Sequence, residues 1–470
     1  MMKENKKEEN MNSKDRGNNS NIELITGDYK QAIKKLAWPM MVSMFLVMAY
    51  NLADSIWVAG LGSDALAAIG FITPLFMILV GLGNGVGAGA NSLIARYIGA
   101  KDKDGVNNAA LHSLVLTLII SILGSVVMYI ILPTLLEIMG AGSSTQLALD
   151  YGNIVFMFMI VFIYSNVGAA ILRSEGDVTR AMYVMAITAI LNIVLDPIFI
   201  YILGMGIAGA AWATVISATV SCAVLLYWMH VKKDTFIDLT LSNYHTSGYI
   251  YKNILTVAIP STAENLIFSV LGICINYFLV IVSGNVAVAT YTAGMRLIQL
   301  SMIPLVGFGT ALLTVIGVSY GAHDFKRLND SFYYTLKLGL LISTIMAVIF
   351  YIFAPQISII FAYGSTASLA PRIASLIRLM IIFIYGVCLG MLGAMLFQGV
   401  GKGFTSLTLT FIRALLLEVV VAYILGILLG MGEQGVYLGV VSGGLLGGII
   451  SFLYSRFYIS RLEHNYTQSK

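Results

Sequence analysis

The fold the chain predicts is an all-α polytopic membrane protein. It would have twelve transmembrane helices in two parallel six-helix repeats, an N-lobe and a C-lobe, around a central cavity. Three observations point there. Of 470 residues, 58% are hydrophobic and 11% charged, whereas soluble domains run at roughly 45–50% apolar and 25% charged. Apolar stretches recur along nearly the whole chain, each long enough to cross a hydrocarbon core of about 30 Å at about 1.5 Å per helical residue. The second half also repeats landmarks of the first at a nearly constant offset.

Spans fall near residues 36–60, 67–95, 107–132, 147–172, 181–203, 208–230, 251–281, 287–318, 332–353, 373–398, 405–429 and 435–459. An even number of crossings puts both termini on one side, and the basic residues say which side. Loops after the even-numbered spans carry Lys101, Lys103, Arg173, Arg180, Lys232, Lys233, Lys252, Lys326, Arg327 and Lys402. The connections near 61–66, 133–146, 204–207, 282–286 and 430–434 hold neither Lys nor Arg. Both termini are therefore expected in the cytoplasm, in a multi-pass protein of the cell membrane. Residues 1–28 are charged and Asn-rich without an apolar core, which predicts a disordered cytoplasmic tail and not a signal peptide. The N-lobe is expected over 29–230, a cytoplasmic linker over 231–250, the C-lobe over 251–460 and a second cytoplasmic tail over 461–470.

The internal repeat is read from punctuation. Pro39 matches Pro260, Gly99-Ala100-Lys101-Asp102 matches Gly321-Ala322-His323-Asp324, and Gly176 matches Gly401. The last hairpin of each half begins Gly204-Met205-Gly206 and Gly430-Met431-Gly432. Several matches in order favour duplication over composition bias. Six spans per copy keep both copies in one orientation, which makes the repeats parallel.

Composition also excludes. The formal net charge of +4 is spread over short loops, so no nucleic-acid partner is expected. Cys222, Cys274 and Cys388 lie in apolar segments without metal-ligand spacing. Both hairpins satisfy G-x-G-x-x-G, but that motif holds a dinucleotide only after a strand, so tight glycine turns are the better account. No G-x-x-x-x-G-K-[ST] exists, and Lys402 is followed by Gly403 where Mg²⁺ binding needs Ser or Thr. The five histidines form no zinc pattern. The chain is thus expected not to be an enzyme and to use no cofactor.

What remains is a short set of ionisable groups at membrane depth, each costing at least ~2.5 kcal/mol unless paired or hydrated. The acids are Asp54, Asp196, Glu264 and Glu418. Asp54 follows Asn51 by about one helical turn, and Asp196 follows Asn192 by about one turn, so two helices each present an amide and an acid on one face. These pairs either glue helices together or bind a cation; two carboxylates facing one cavity suit a proton or Na⁺, whose charge relieves their repulsion. Pro39 is either a kink in the helix that carries Asp54 or an ordinary start-of-helix proline. Tyr151, Asn153 and Thr214 add oxygens to such a cavity or serve as helix contacts. Glu264, one turn beyond Pro260, either serves substrate or a second cation or meets water at a helix end. Glu418, near Arg413 on the same span, reads as half of a structural ion pair.

These residues give the chain a family likeness. It resembles the multidrug and toxic compound extrusion (MATE) transporters over all twelve spans, through LAWPMMVSMFLVMAYNLADSIWVAGLGSDALAAIG, GAGANSLIARYIGAKD, LRSEGD and LNIVLDPIFI. The resemblance implies secondary active efflux of small organic cations or amphipathic drugs in exchange for Na⁺ or H⁺, by alternating access. Similarity to the archaeal and DinF-like branch implies an N-lobe cation site, for Na⁺ or H⁺, at Asp54, Asn192, Asp196 and Thr214. It also implies that Pro39 is a bending point and that Tyr151 lines the same cavity, with Asn51, Asn153 and Glu264 as further cavity or gating candidates. The chain departs from the NorM-like branch in having no acid between Arg372 and Gln398, which places coupling in the N-lobe. The partners expected are the lipid bilayer and a small organic substrate, with the protein a monomer. Rival functions are a lipid-linked oligosaccharide or precursor flippase, and a non-transporting receptor or assembly factor.

Overall fold

A computed structural model describes residues 20–232, 234–240, 242, 244–361 and 368–468. Among these the chain is helical almost throughout. A short helix, α1 (20–26), is followed by α2 (Tyr29–Ala59), α3 (Ser63–Gly99), α4 (Lys103–Ile138), α5 (Thr145–Met157) and α6 (Met159–Ser174). Then come α7 (Val178–Pro197), α8 (Gly206–Leu226), α9 (Gly248–Gly321), α10 (Phe325–Phe361), α11 (Ala370–Gly399), α12 (Gly403–Phe411), α13 (Val420–Tyr423) and α14 (Gly432–Gln468).

Ten of the described helices are long and apolar enough to cross a membrane, and the bent pair of α5 and α6, which turns by 49°, makes an eleventh span. The twelfth is hidden in α9. Its 74 residues are interrupted at Gly284, where φ of 67° and ψ of −162° leave the helical region. Each side of that break is longer than the about 20 residues a crossing needs. The structure is the twelve-span protein that the sequence predicts.

The chain divides into two compact units, Met1–Thr262 and Ala263–Lys470. Within the first, α3 packs on α6, α2 on α7, and α7 on α8; within the second, α11 packs on both α10 and α14.

The same turn chemistry recurs in both units. Lys101 and His323, at equivalent places in the repeat, both take positive φ, 58° and 56°. The next residue in each case caps the following helix: Asp102 accepts from the amide of Gly105 at 2.9 Å, and Asp324 from that of Arg327 at 2.9 Å. The hairpin glycines match as well, with φ of 66° and 58° at Gly204 and Gly206 against 67° and 63° at Gly430 and Gly432. A side chain at any of these four would be strained, and two helices flank each hairpin, so they are turns and not a nucleotide fingerprint.

The tail expectation needs correction. Residues 1–19 lie outside the described residues, but 20–26 of the expected disordered segment are helical, because Ile25 is fully buried and packs over Gly176. The expected tail at 461–470 is, as far as 468, the last turns of α14.

Glycine also sets the closest approach of helices. On α14, Gly439, Gly443 and Gly447 recur every four residues and meet the backbone of Ala422, Glu418 and Arg413. Association in lipid relies on such small-residue contact. A Cβ at Gly439 would fall 2.2 Å from the Cα of Ala422, whereas one at Gly272 meets nothing within 4 Å. Gly439→Leu is therefore expected to destabilise the protein by about 1–3 kcal/mol or more through overpacking. Thermal unfolding in detergent checks this, with Gly272→Leu expected to unfold near the wild-type temperature.

Candidate functional site

In the first unit, α2, α5, α7 and α8 supply the side chains of the expected cation site. Asn192 and Asp196 lie on α7 one turn apart and are almost wholly buried, as are Thr214 on α8 and Tyr151 on α5. The Asn192 Nδ2 donates to Asp196 Oδ1 at 3.3 Å and to Thr214 Oγ1 at 3.1 Å. Thr214 in turn donates to the carbonyl of Ala210 at 2.9 Å. Asp54 on α2 interacts electrostatically with Asp196 and with Tyr151 and Tyr50.

One atom in each of three of these residues is left over. Asp54 Oδ1, Asn192 Oδ1 and Asp196 Oδ2 are buried and accept no hydrogen bond. Buried oxygens are ordinarily satisfied, and leaving one bare costs about 1–3 kcal/mol. The three orphan acceptors, from two carboxylates and an amide in one electrostatically coupled group, are oxygens of the kind that hard cations take as ligands. The four residues of the expected cation site are thus brought together with Tyr151.

Other candidates fall elsewhere. Asn51 is exposed and its Nδ2 donates to the carbonyl of Val47 at 2.9 Å, one turn back on its own helix, so it does not join the group. Tyr50, beside it in sequence and one turn before Asp54, interacts electrostatically with that acid. Asn153 is half-buried and sits two residues past Tyr151, about 200° round the helix from it. Pro39 is buried inside α2, ten residues from its start at Tyr29, so it is not a start-of-helix proline; its carbonyl accepts from Ser43 Oγ at 2.8 Å.

Glu264 belongs to the second unit. It is nearly buried and held by two donors, Ser406 Oγ at 2.6 Å and Gln398 Nε2 at 3.2 Å. It is therefore not an acid at a wet helix end. Neither donor is recognisable from sequence, since they lie 142 and 134 residues away. The expected Arg413–Glu418 ion pair is also absent: both Glu418 oxygens are buried without a hydrogen-bond partner, and the Arg413 guanidinium lies over the Phe268 ring at 5.4 Å.

The segment read as a linker docks on the first unit. Arg180 grips the Asp234 carboxylate through both terminal nitrogens at 2.9 and 3.0 Å, and Lys232 adds a contact at 2.7 Å. The amide of Ile237 donates to Glu175 Oε2 at 3.0 Å and that of Asp238 to Asn107 Oδ1 at 2.9 Å. Ser247 N donates to His112 Nε2 at 3.0 Å. The LRSEGD motif thus helps anchor this segment, directly through Glu175 and indirectly through Asp177, which pairs with Arg180 just beyond the motif at 3.3 Å.

Fold and duplication define the class, a polytopic helical membrane protein of two repeats. Comparison with known proteins narrows it. Residues 39–198 and 260–424 match the model of the MatE family, and the chain belongs to that family. Among curated relatives, the FAD transporter of Shewanella oneidensis is 26% identical over 72% of this chain and 76% of its own length. The probable multidrug resistance protein YoeA of Bacillus subtilis is 27% identical over 86% of this chain and 89% of its own. A solved outward-facing multidrug resistance MATE family transporter is 39% identical, with a TM-score of 0.92 over 94% of this chain and 98% of that one. The likeness read from the sequence motifs holds.

Glu175 yields a pH prediction. Burial pushes its carboxyl up to about 8, with Asp177 adding to the rise, while the Ile237 amide, Arg180 and Lys103 oppose it. A carboxyl whose value is raised in the docked state holds extra protons there, so docking is fully stable below the ordinary glutamate range and weakens as pH rises through about 8. Hydrogen exchange of residues 234–240, corrected for intrinsic rates, is expected to lose protection as pH rises from about 5 to about 9. Glu175→Gln is expected to flatten that dependence.

Proposed function

We propose that this MatE-family transporter is a multidrug exporter that moves cationic or amphipathic organic compounds out of the cell in exchange for an external cation. The observation that carries the coupling half is the trio of orphan oxygens on Asp54, Asn192 and Asp196. The relatives support the efflux half, since several carry multidrug resistance or export names. The basic residues of alternate loops support cytoplasmic termini and the plasma membrane as location.

Between the two coupling ions, the orphan Asn192 oxygen favours Na⁺. A proton needs only a carboxylate, whereas Na⁺ is a hard cation that collects neutral oxygens as well. Asp54, Asp196, Asn192 and Thr214 are its ligands in this reading, with Tyr151 as cavity wall. Cation binding cancels the repulsion of two buried carboxylates, and a cationic substrate competes for the same charge. Linkage then makes substrate weaken ion binding by the factor with which the ion weakens substrate binding.

Ethidium transport in proteoliposomes under imposed Na⁺ or H⁺ gradients tests the proposal. Asp54→Asn is expected to reduce gradient-driven flux to the level of empty liposomes, and wild-type rates in that variant would remove the coupling assignment. Asn192→Ala is expected to raise the half-saturating Na⁺ concentration about tenfold, for the loss of roughly 1.4 kcal/mol of ion binding. If flux in that variant follows pH and ignores Na⁺, the ion is the proton.

A further inference from the structure

The second unit carries a buried carboxyl for which the cation site of the first has no use. Glu418 on the α12 span has 0% exposure, and neither of its oxygens has a hydrogen-bond partner. It packs where α14 has no side chains: its Cα lies under Gly443, and its Oε1 would be 3.3 Å from a Cβ at Gly444. Phe383 of α11 closes the same spot.

The groups that face it come from every neighbouring element. On its own helix there is Arg413, and on α9 there is Tyr291, which stacks on Tyr437 of α14 with ring centroids 6.0 Å apart. Beyond Arg413 lies Glu264, which feels the same guanidinium. The surrounding surface of α11 is Phe383, Gly386 and Gly390, the last against the Arg413 side chain.

Charge balance then decides. Two buried carboxyls lie in the field of one cation, Arg413, which forms no close pair with Glu418, and an excess charge in a low-dielectric interior is costly unless a proton neutralises it. Glu264 accepts from Ser406 and Gln398, two donors that stabilise its ionised form. Glu418 accepts from none. The neutral arrangement is ionised Glu264, Arg413 cation and protonated Glu418. Among the described residues no amide or hydroxyl is hydrogen-bonded to Glu418, and a proton needs only the carboxylate itself.

Repeat geometry places the residue. Between Gly204 and Gly430 the offset is 226 residues, and the π-helical turns Ile198–Ile202 and Ile424–Leu428 share it. So do two close contacts, Gly209 on Phe199 and Gly435 on Leu425. The offset at Gly176 and Gly401 is 225, so the second copy has one extra residue between Gly401 and Ile424, and Glu418 lies nearer the landmarks offset by 226. At 226, Asn192 corresponds to Glu418.

We infer that Glu418 is a proton-binding site of the second unit, standing at the repeat position that Asn192 fills in the first. A proton adds to one carboxylate oxygen and leaves with its bonding electrons kept by that oxygen. The role of this site in transport rests on the cation-antiport reading; the proton itself does not.

The test counts protons on purified full-length protein in detergent, without any gradient. A jump from about pH 5 to about pH 9, followed with a pH-indicator dye, is expected to release about one proton more per chain from wild type than from Glu418→Gln. Glu418→Asp, which keeps a carboxyl, is expected to restore that proton. Equal release from wild type and Glu418→Gln overturns the inference, as does a deficit that appears in Glu264→Gln instead. If Glu418→Gln is not monodisperse, carbodiimide labelling of wild type at about pH 6 decides, because the reagent attacks protonated carboxyls in apolar surroundings. An adduct on Glu418 supports the site, and its absence there overturns it. The proton difference is expected to persist in an Asp54→Asn background. Should it persist while that variant keeps wild-type flux, the coupling assignment fails and this one stands.

Discussion

Hydrocarbon offers no water to an exposed polar atom, so every donor and acceptor at membrane depth has to find its partner within the protein. Most do so locally. Hydroxyls bond back one turn along their own helices, as with Ser43 to Pro39, Ser113 to Ala109 and Thr117 to Ser113. Capping aspartates meet the first amides of α4, α7 and α10. Against that background of satisfaction, an orphan carboxylate or amide oxygen stands out as a place where something else belongs. The cation proposed for the first unit and the proton proposed for the second both answer this one constraint.

Features that depend on local chemistry were legible in the sequence. The hairpins at Gly204 and Gly430 and the turns at Lys101 and His323 show themselves because positive φ and helix capping draw on few residue types. Apolar length found the spans, including the two merged in α9, because a crossing needs a fixed number of residues whatever its neighbours are. Asp54 and Asp196 stood out by rarity, since charge at membrane depth is expensive. Helical phase was weaker. It put Asn51 with Asp54 on one face, yet the Asn51 amide turns back to the carbonyl of Val47, a choice that helical phase alone does not decide.

Partners distant in sequence were not legible at all. Ser406 and Gln398 reach Glu264 from other helices, and no spacing rule connects them. Arg413 and Glu418 illustrate the opposite failure, a spacing that suggests a pair where the structure has none. Their stretch of chain is π-helical, which changes the angle per residue, and the guanidinium is taken by the face of Phe268. The LRSEGD motif carried a family likeness without a physical role until the 234–240 segment was seen to dock on Glu175 and Arg180.

The two repeats share turns, caps and even their π-helical turns, yet their polar contents have diverged. At one shared position the first copy has an amide and the second a carboxyl. An amide brings both a donor and an acceptor: the Asn192 nitrogen orders Asp196 and Thr214 while its oxygen stays available. A carboxylate brings only acceptors, and at Glu418 no donor meets them. With the backbone held constant, that exchange of chemistry separates the proposed metal-cation site of the first copy from the proposed proton site of the second. On these two proposals, duplication supplied one position in each half, and the side chain at that place sets which ion it suits.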